Sequence, residues 1–417
     1  MIIKKLNIIL ALFFVSILTY SQNASIASPY SRYGYGELQS ASMGATKSMG
    51  GIGYGVYSNK VINPMNPASY SSIDSLTFML NFAGSGTANG VSSGKETFNK
   101  FKGQVEYVAF QLPLCKFIGL SVGLMPYTLV GYDYSKTDNS MHNYITGDSI
   151  TTVKQAFTGS GGFTQVYLGI AFDILDRVSI GVNGKYMFGN VTHTRTVTFP
   201  NHPLYTTTIQ EKNLHCTTFL CDVGVLYHQP IKKDELTIGA TYSIKLPMLI
   251  DSQIRTVTNY TTEDNTKYSF DFPHTIGVGA TYRFLDKVWL GADFQWCDFS
   301  SARYYSVTDT LKSNFKISVG VEYTPRAGSK KYGENMRFRL GANYGKAYTK
   351  INGYYYDEFA ITAGLGFPLF NAMSTINVFL EYGHRGGIST IGLAEDYFKF
   401  GLDISLNERW FVKRRLN

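Results

Sequence analysis

The stretch NFKISVGVEYT, residues 314–324, alternates strictly between two kinds of side chain and decides the fold class. Five apolar residues would share one face of a β-strand, because successive side chains in a strand point to opposite sides. They are Phe315, Ile317, Val319, Val321 and Tyr323. Polar residues and glycine occupy the other face, so the stretch predicts a strand with one apolar face and one polar face.

The same pattern recurs along the chain, for example in HTIGVGATYRF (274–284), MRFRLGANYG (336–345) and FKFGLDISL (398–406). Applied throughout, it predicts about fourteen strands, each long enough for a tilted membrane crossing of about 9–11 residues. They lie near 75–84, 104–112, 117–133, 163–173, 177–192, 214–228, 235–246, 274–285, 287–299, 314–325, 335–346, 357–368, 374–385 and 396–407. Short connections alternate mainly with longer ones, at 85–103, 134–162, 193–213, 247–273 and 300–313.

This organisation predicts an all-β protein, a transmembrane antiparallel β-barrel with short periplasmic turns and long outer loops. A soluble β-sandwich or propeller also alternates, but it buries its apolar faces in a core. Fourteen such faces would make too large a core for one soluble domain.

Composition supports the membrane interpretation. Charged residues make up 16% of the chain and aromatic residues 15%, with 41 glycines, whereas about a quarter of a soluble domain is charged. The net charge of +8 is scattered rather than clustered, so no nucleic-acid partner is expected. Four cysteines in 417 residues do not predict a disulfide framework.

The N-terminal sequence MIIKKLNIILALFFVSILTYSQ predicts a signal peptide over residues 1–21, with a retained anchor as the alternative. The mature chain would then consist of an N-terminal segment (22–74), the barrel (75–407) and a basic periplasmic C-terminal tail (408–417). The predicted location is the bacterial outer membrane, in contact with its lipid.

The chain resembles the outer-membrane transport family typified by the fatty acid transporter FadL. The resemblance is carried by the stretch FPHTIGVGATYRFLDKVWLGADFQWCDFS (272–300) and by similar stretches at 317–325 and 361–369. The closing FKFGLDISLNERWFVKRR is similar to the C-termini of this family in Bacteroidetes-like bacteria. The resemblance covers essentially the whole mature chain. It implies that the N-terminal segment is a hatch, or plug, inside the barrel lumen.

Two Asn-Pro pairs mark the end of this segment. Asn66, Pro67 and Ala68 match the motif that ends the hatch in the family, and Asn63 and Pro64 repeat its first half. Gly50 and Gly51 resemble the small-residue stretch that precedes the motif. Glycines allow tight backbone packing and prolines preset turns, which suits a rigid plug. An ordinary periplasmic linker is the alternative.

Pro126 interrupts the long apolar run GLSVGLMPYTLVGYDYS of the third predicted strand, where it removes a ladder hydrogen bond. The family resemblance implies a lateral opening at an inward kink of this strand, and Pro126 is the candidate for that kink. Alternatively, the proline lies at the outer rim of the barrel.

No residue pattern indicates an enzyme, a cofactor or a metal site. The seven histidines are dispersed and none has metal-ligand spacing. Charged residues predicted to face inward, including Asp293, Glu322, Arg337 and Arg339, are expected to neutralise one another across a wet lumen.

The leading hypothesis is passive uptake of hydrophobic small molecules, such as long-chain fatty acids, gated by the hatch. The alternative is a FadL-like barrel that serves as a subunit of a larger outer-membrane machine for protein secretion or insertion, with partner proteins bound to it. A general aqueous porin is a third option, and the hatch argues against it.

Overall fold

The computed structural model describes residues 28–94, 96–138, 152–200, 205–265, 267–308, 310–329, 331–369 and 373–409. The predicted signal peptide and residues 410–417 of the predicted tail lie outside the described residues. The first two tail residues, Glu408 and Arg409, belong to the last strand.

Fourteen long antiparallel strands in the described residues form the barrel wall. They are β1 Thr77–Ser93, β2 Glu96–Cys115, β3 Ile118–Asp138, β4 Val153–Leu175, β5 Val178–Thr198, β6 Thr208–Ile231, β7 Asp234–Ser243, β8 His274–Phe284, β9 Val288–Asp298, β10 Asn314–Tyr323, β11 Arg337–Lys346, β12 Asp357–Pro368, β13 Thr375–Gly387 and β14 Leu393–Arg409. Each strand pairs with the next, and β14 pairs with β1 from Ala394–Ser92 to Arg409–Thr77. The ring is therefore closed, which confirms the predicted fourteen-strand barrel.

Burial alternates along the strands as the sequence predicts. In β10, Val319 is 47% exposed on the outer face, whereas its neighbour Ser318 is buried in the lumen. In β11, Leu340 is 59% exposed and Arg339 is buried. An apolar outer face and a polar interior are what a barrel in lipid requires.

The predicted outer loop at 85–103 is wrong, because β1 and β2 continue through it as a hairpin. The stretch AGSGTANGVSSG lacks large apolar residues, so its strand character is hidden in the sequence. Rings from neighbouring strands replace the missing side chains: a Cβ at Gly86 would lie 2.7 Å from Phe101 and 2.9 Å from Phe400. Aromatic cover of this kind stabilises glycine in a sheet.

The wall has uneven height. Strands β1–β6 and β14 have 17–24 residues, whereas β7–β13 have 10–13. The predicted loop 247–273 contributes to the tall side, since its strand Ile250–Val257 pairs with Ile209–Cys216 of β6. The other short strands are Glu37–Leu38, Pro247–Met248, Thr261–Asp264 and Phe270–Asp271.

The helices in the described residues are short, with four to six residues each. Three are 3-10 turns in the N-terminal segment, Pro29–Arg32, Gly44–Ser48 and Pro67–Ser72, and two are α-helical, Tyr332–Asn335 and Ile388–Ile391. Within the described parts of the chain, no helix has the length and apolar character needed to cross a membrane.

Candidate functional site: the lumen and its wall

The N-terminal segment, described over residues 28–74, makes hydrogen bonds to strands on several sides of the barrel. These bonds join Gly50 N–H to Thr362 Oγ1 of β12 (2.8 Å), Asn66 Nδ2 to the Val225 carbonyl of β6 (3.2 Å), and Tyr70 OH to Asn183 Oδ1 of β5 (3.0 Å). Most of the segment is buried. A peptide bonded to β5, β6 and β12 crosses the space that these strands enclose.

The two Asn-Pro pairs clamp one tight loop, residues 53–56. Asn63 Nδ2 donates to the Gly53 carbonyl (2.7 Å), and Asn66 Nδ2 donates to the Tyr54 carbonyl (2.7 Å). Asn66 also caps the 3-10 turn Pro67–Ser72 by accepting from the Ala68 N–H (3.1 Å). Proline at the first position of that turn needs no hydrogen-bond acceptor. The repeated motif therefore fixes the fold of the segment from within.

Gly50 and Gly51 lie at a turn of the N-terminal segment. Both have positive φ angles, +71° and +79°, which favour glycine. A Cβ at Gly50 would lie 2.5 Å from the Val319 carbonyl oxygen and 2.6 Å from that of Ala342. Glycine is required here for close approach as well as for conformation.

Glycines on the lumen face of the wall mirror this arrangement. A Cβ added at Gly341 of β11 would overlap the backbone of Met49 and Gly50, and one at Gly239 of β7 would overlap the Tyr54 carbonyl. Backbone of the segment thus lies directly on backbone of the wall. These positions cannot be predicted from the sequence, because a glycine on a polar strand face has no distinctive pattern.

Asp293 of β9 holds the loop at residues 53–56 from the wall side. Its Oδ2 accepts hydrogen bonds from the N–H groups of Gly53 (2.5 Å) and Tyr54 (2.9 Å), and Thr281 Oγ1 donates to the Gly55 carbonyl (2.8 Å). The expectation that Asp293 neutralises a cation is therefore wrong: this carboxylate binds backbone amides. Glu322 and Arg339 do form the expected ion pair, at 2.6 Å.

Two further ion-pair clusters join the segment to the wall. Glu106 of β2 lies between Lys47 of the segment and Lys399 of β14, with 2.6 Å to each ammonium nitrogen. Glu37 pairs with Arg385 of β13 at 2.8 Å. Burial acts to raise the pKa of Glu37, but the charge and hydrogen bond of Arg385 outweigh it and the pKa is lowered. These residues are far apart in sequence, so no spacing could have predicted them.

An aromatic cluster fills the lumen on the side of the long connections. It includes Tyr35 of the segment together with Phe270, Phe272, Phe299 and Tyr348, all less than 8% exposed. Phe299 and Tyr348 stack with ring centroids 4.5 Å apart, and Tyr348 OH donates to the Gly36 carbonyl at 2.6 Å.

Asp271 anchors the loops around this cluster. Its carboxylate accepts from Arg303 Nε and Nη2, both at 2.8 Å, and lies 3.7 Å from Lys245 Nζ. Burial acts to raise the pKa of Asp271, but the hydrogen bonds and charge of Arg303 lower it overall. The loops are thereby tied together over the segment.

A cavity of about 360 Å³ remains between the segment and the wall. Charged side chains on its lining include Lys47, Lys185, Asp222, Glu381 and Lys399. Sites for small apolar ligands are mostly lined by hydrophobic and aromatic residues. Aromatic residues, among them Phe272, Phe299 and Tyr348, line it as well, so the cavity has both charged and apolar walls.

Pro126 lies in the middle of β3, which continues to Asp138, and not at its outer end. The β3 register to β4 shifts between Pro126 and Thr128. The β2–β3 ladder ends just before, at the Val108–Leu124 pair. Residues 96–107 of β2 and 125–138 of β3 lie beyond that pair, and we call the space between them the β2–β3 gap.

Groups of three or more metal-ligating side chains with suitable geometry are absent from the described residues. His193 illustrates the ordinary environment of a histidine here: its Nδ1 lies 2.7 Å from the Tyr132 hydroxyl. The lumen instead offers hydrogen bonds, ion pairs and close backbone contact, which can hold a peptide in place.

A family model described as BamG matches residues 1–417. No curated protein matches the sequence. Among solved structures, a Pseudomonas aeruginosa FadL homologue is similar with a TM-score of 0.58 and 11% identity, covering 90% of this chain and 99% of that one. The P. putida toluene transporter TodX gives 0.59 and 11% over 90% and 100% of the two chains, and the Ralstonia pickettii toluene transporter TbuX gives 0.55 and 13% over 90% and 98%. The fold is thus that of FadL-type barrels, and its location is the bacterial outer membrane.

Proposed function

The chain belongs to the BamG family, and from this we propose that it acts as a closed barrel subunit of a larger outer-membrane machine for protein insertion or secretion. The observation that carries the proposal is the occupied lumen. Residues 28–74 act as a hatch that is bonded to the wall on several sides, and the aromatic cluster packs against it inside the lumen.

A barrel whose lumen is filled in this way can contact other proteins through its loops, turns and outer wall rather than through its lumen. The remaining cavity has charged residues on its lining beside aromatic ones, whereas sites for apolar ligands are mostly hydrophobic. The ion pairs Lys47–Glu106 and Glu37–Arg385 hold the hatch at separate points of the wall. Opening the bore would require breaking both.

Purification of the full-length protein from its native membrane in mild detergent tests this proposal. We expect a stoichiometric protein partner to co-elute and purified barrels to show no steady ion conductance in planar bilayers. Deletion of residues 40–70 should raise conductance while the barrel stays folded. A solitary barrel with lipid in its lumen, or steady conductance of the intact chain, would contradict the proposal.

One observation favours a second candidate, passive uptake of hydrophobic small molecules such as long-chain fatty acids. The β2–β3 gap opens the wall beside the cavity, because Lys100 of β2 and Tyr127 of β3 both line that cavity. Similar structures include barrels described as toluene transporters. In this proposal the hatch gates the lumen and the break at Pro126 is the exit.

Uptake of a labelled fatty acid by cells carrying the Pro126→Ala variant tests the second candidate. Alanine restores the N–H that proline lacks, so a straighter β3 should narrow the gap and reduce uptake severalfold. Uptake equal to that of the unchanged protein would exclude Pro126 as the determinant of an exit.

A further inference from the structure

The outer part of β2 is a strand edge without a neighbouring strand on one side. Its residues pair with β1 from Gly84–Val105 to Ser93–Glu96, but the ladder to β3 stops at Val108–Leu124. In an antiparallel sheet, alternate residues direct their N–H and C=O groups toward each neighbour. Alternate residues of 96–105 therefore direct these groups into the β2–β3 gap.

The opposite side of the gap is already covered by the chain itself. Glu37 and Leu38 pair with Leu129 and Thr128 of β3 as a short antiparallel strand. Above and below this pairing, Ser28 N–H donates to the Gly131 carbonyl and Gln39 N–H donates to the Tyr127 carbonyl, both at 2.9 Å. An extended segment thus adds to the β3 edge, and no equivalent segment covers β2 in the described residues.

We propose that the β2 edge at residues 96–105 binds an extended segment of a partner protein by β-strand addition, and that this segment carries acidic side chains on its lumen-facing side. The inference rests on the proposed subunit function and names the contact through which the subunit binds. Strand addition derives affinity from main-chain hydrogen bonds and specificity from alternate side chains.

Physical chemistry favours a polypeptide occupant over lipid. Lipid chains offer no hydrogen-bond partners, so a strand edge at membrane depth needs protein or water beside it. Long edges are usually shortened, twisted or covered, because they template pairing with other chains. The register of β2 to β1 is uninterrupted from Val105 to Glu96, so this edge is regular over ten residues.

Charge favours an acidic partner over a second copy of this chain. Lys100 and Lys102 lie at alternate positions on the lumen side of β2, and both line the cavity. Two copies paired through this edge would bring four lysines together, which is unfavourable for like charges in paired strands. Lys100 already reaches across the gap, where its Nζ donates to the Asp133 carbonyl of β3 at 3.4 Å. Carboxylates on an added strand would lie beside this positive charge, as Glu37 lies beside Arg385.

Site-specific photo-crosslinking in living cells tests this contact. The full-length chain would carry p-benzoylphenylalanine at Asn99, on the outer face of β2. The matched control position is Thr194 of β5, which is paired on both sides, with Thr158 and Glu211. We expect a polypeptide adduct at 99 and none at 194, with the crosslinked peptide mapping to a segment with acidic residues at alternate positions.

Charge variants of β2 test whether the partner segment is acidic. The double variant Lys100→Glu/Lys102→Glu should lower the adduct yield at least tenfold, and Lys100→Gln/Lys102→Gln should lower it less. Lys154→Glu, an exposed change on β4 outside the gap, should leave the yield unchanged. Heat-modifiable migration of each variant in gels reports whether the barrel has folded.

The outcomes separate this inference from the function on which it rests. If a partner co-elutes but crosslinks at 99 are absent, or lead only to lipid or to a second copy, the strand-addition site is wrong and the subunit function stands. Equal adduct yields in all charge variants would overturn the acidic specificity. If no partner co-elutes at all, both proposals fail.

Discussion

Replacing Asp293 with alanine should release the loop at residues 53–56 from the barrel wall. Asp293 Oδ2 accepts hydrogen bonds from two backbone N–H groups of the N-terminal segment, at 2.5 and 2.9 Å. A hydrogen bond to a charged group contributes about 1.5–3 kcal/mol, so two of them contribute at least about 3 kcal/mol. Since about 1.4 kcal/mol corresponds to a factor of ten, local opening should become about 100-fold more frequent.

Amide hydrogen exchange of the folded protein in detergent measures this effect directly. Peptides covering residues 50–56 should exchange about 100-fold faster in Asp293→Ala, while peptides from β9 keep their protection. Asp293→Asn keeps an acceptor oxygen and should give an intermediate rate. Asp251→Ala, an exposed carboxylate on the tall side of the wall, is the matched control and should change nothing.

Unchanged protection at residues 50–56 in Asp293→Ala would refute the reasoning. It would mean that the clamps from Asn63 and Asn66 suffice and that the wall carboxylate contributes little. Loss of protection throughout the barrel would also count against it, because the wall should fold without this contact.

Other changes have equally specific outcomes. Gly341→Ala should displace the backbone of the N-terminal segment and raise protease sensitivity within residues 40–60, whereas Gly184→Ala, whose Cβ would have 3.9 Å of space, should not. Glu106→Gln leaves two buried ammonium groups without their carboxylate and should lower the free energy of urea unfolding by about 3–5 kcal/mol. Glu37 has a lowered pKa, so its pairing with Arg385 contributes stability above the ordinary glutamate value of 4.5. That stability is lost as the pH falls through the lowered pKa, and lower protection of residues 28–40 at pH 3 than at pH 6, after correction for the slower intrinsic exchange at pH 3, would show it.

The strand count, the inward and outward faces and the closed ring were predictable because lipid and lumen impose a strict period of two. The ends of the strands were harder to predict. The outer-face positions of β1 beyond Ala83 hold Gly84, Gly86, Ala88 and Gly90, so this part of the hairpin has no alternating apolar signal. Rings from the two neighbouring strands, Phe101 and Phe400, cover Gly86.

The contacts inside the lumen also divide into those that the sequence could predict and those that it could not. Asn63 and Asn66 could be singled out because Asn-Pro is a local pattern with local consequences. Asp293 and Glu106 act on parts of the chain that are 240 and 59 residues away, at Gly53 and Lys47. Such contacts depend on the closed ring, and a single sequence does not encode them in any spacing.

Gly239 and Gly341 make the N-terminal segment and the wall a matched set rather than two exchangeable modules. Grafting residues 28–74 onto another FadL-type barrel would place any larger side chain at these positions inside the grafted backbone. Chimeras of such barrels will therefore tolerate an exchanged N-terminus only when the corresponding wall positions are exchanged to glycine as well.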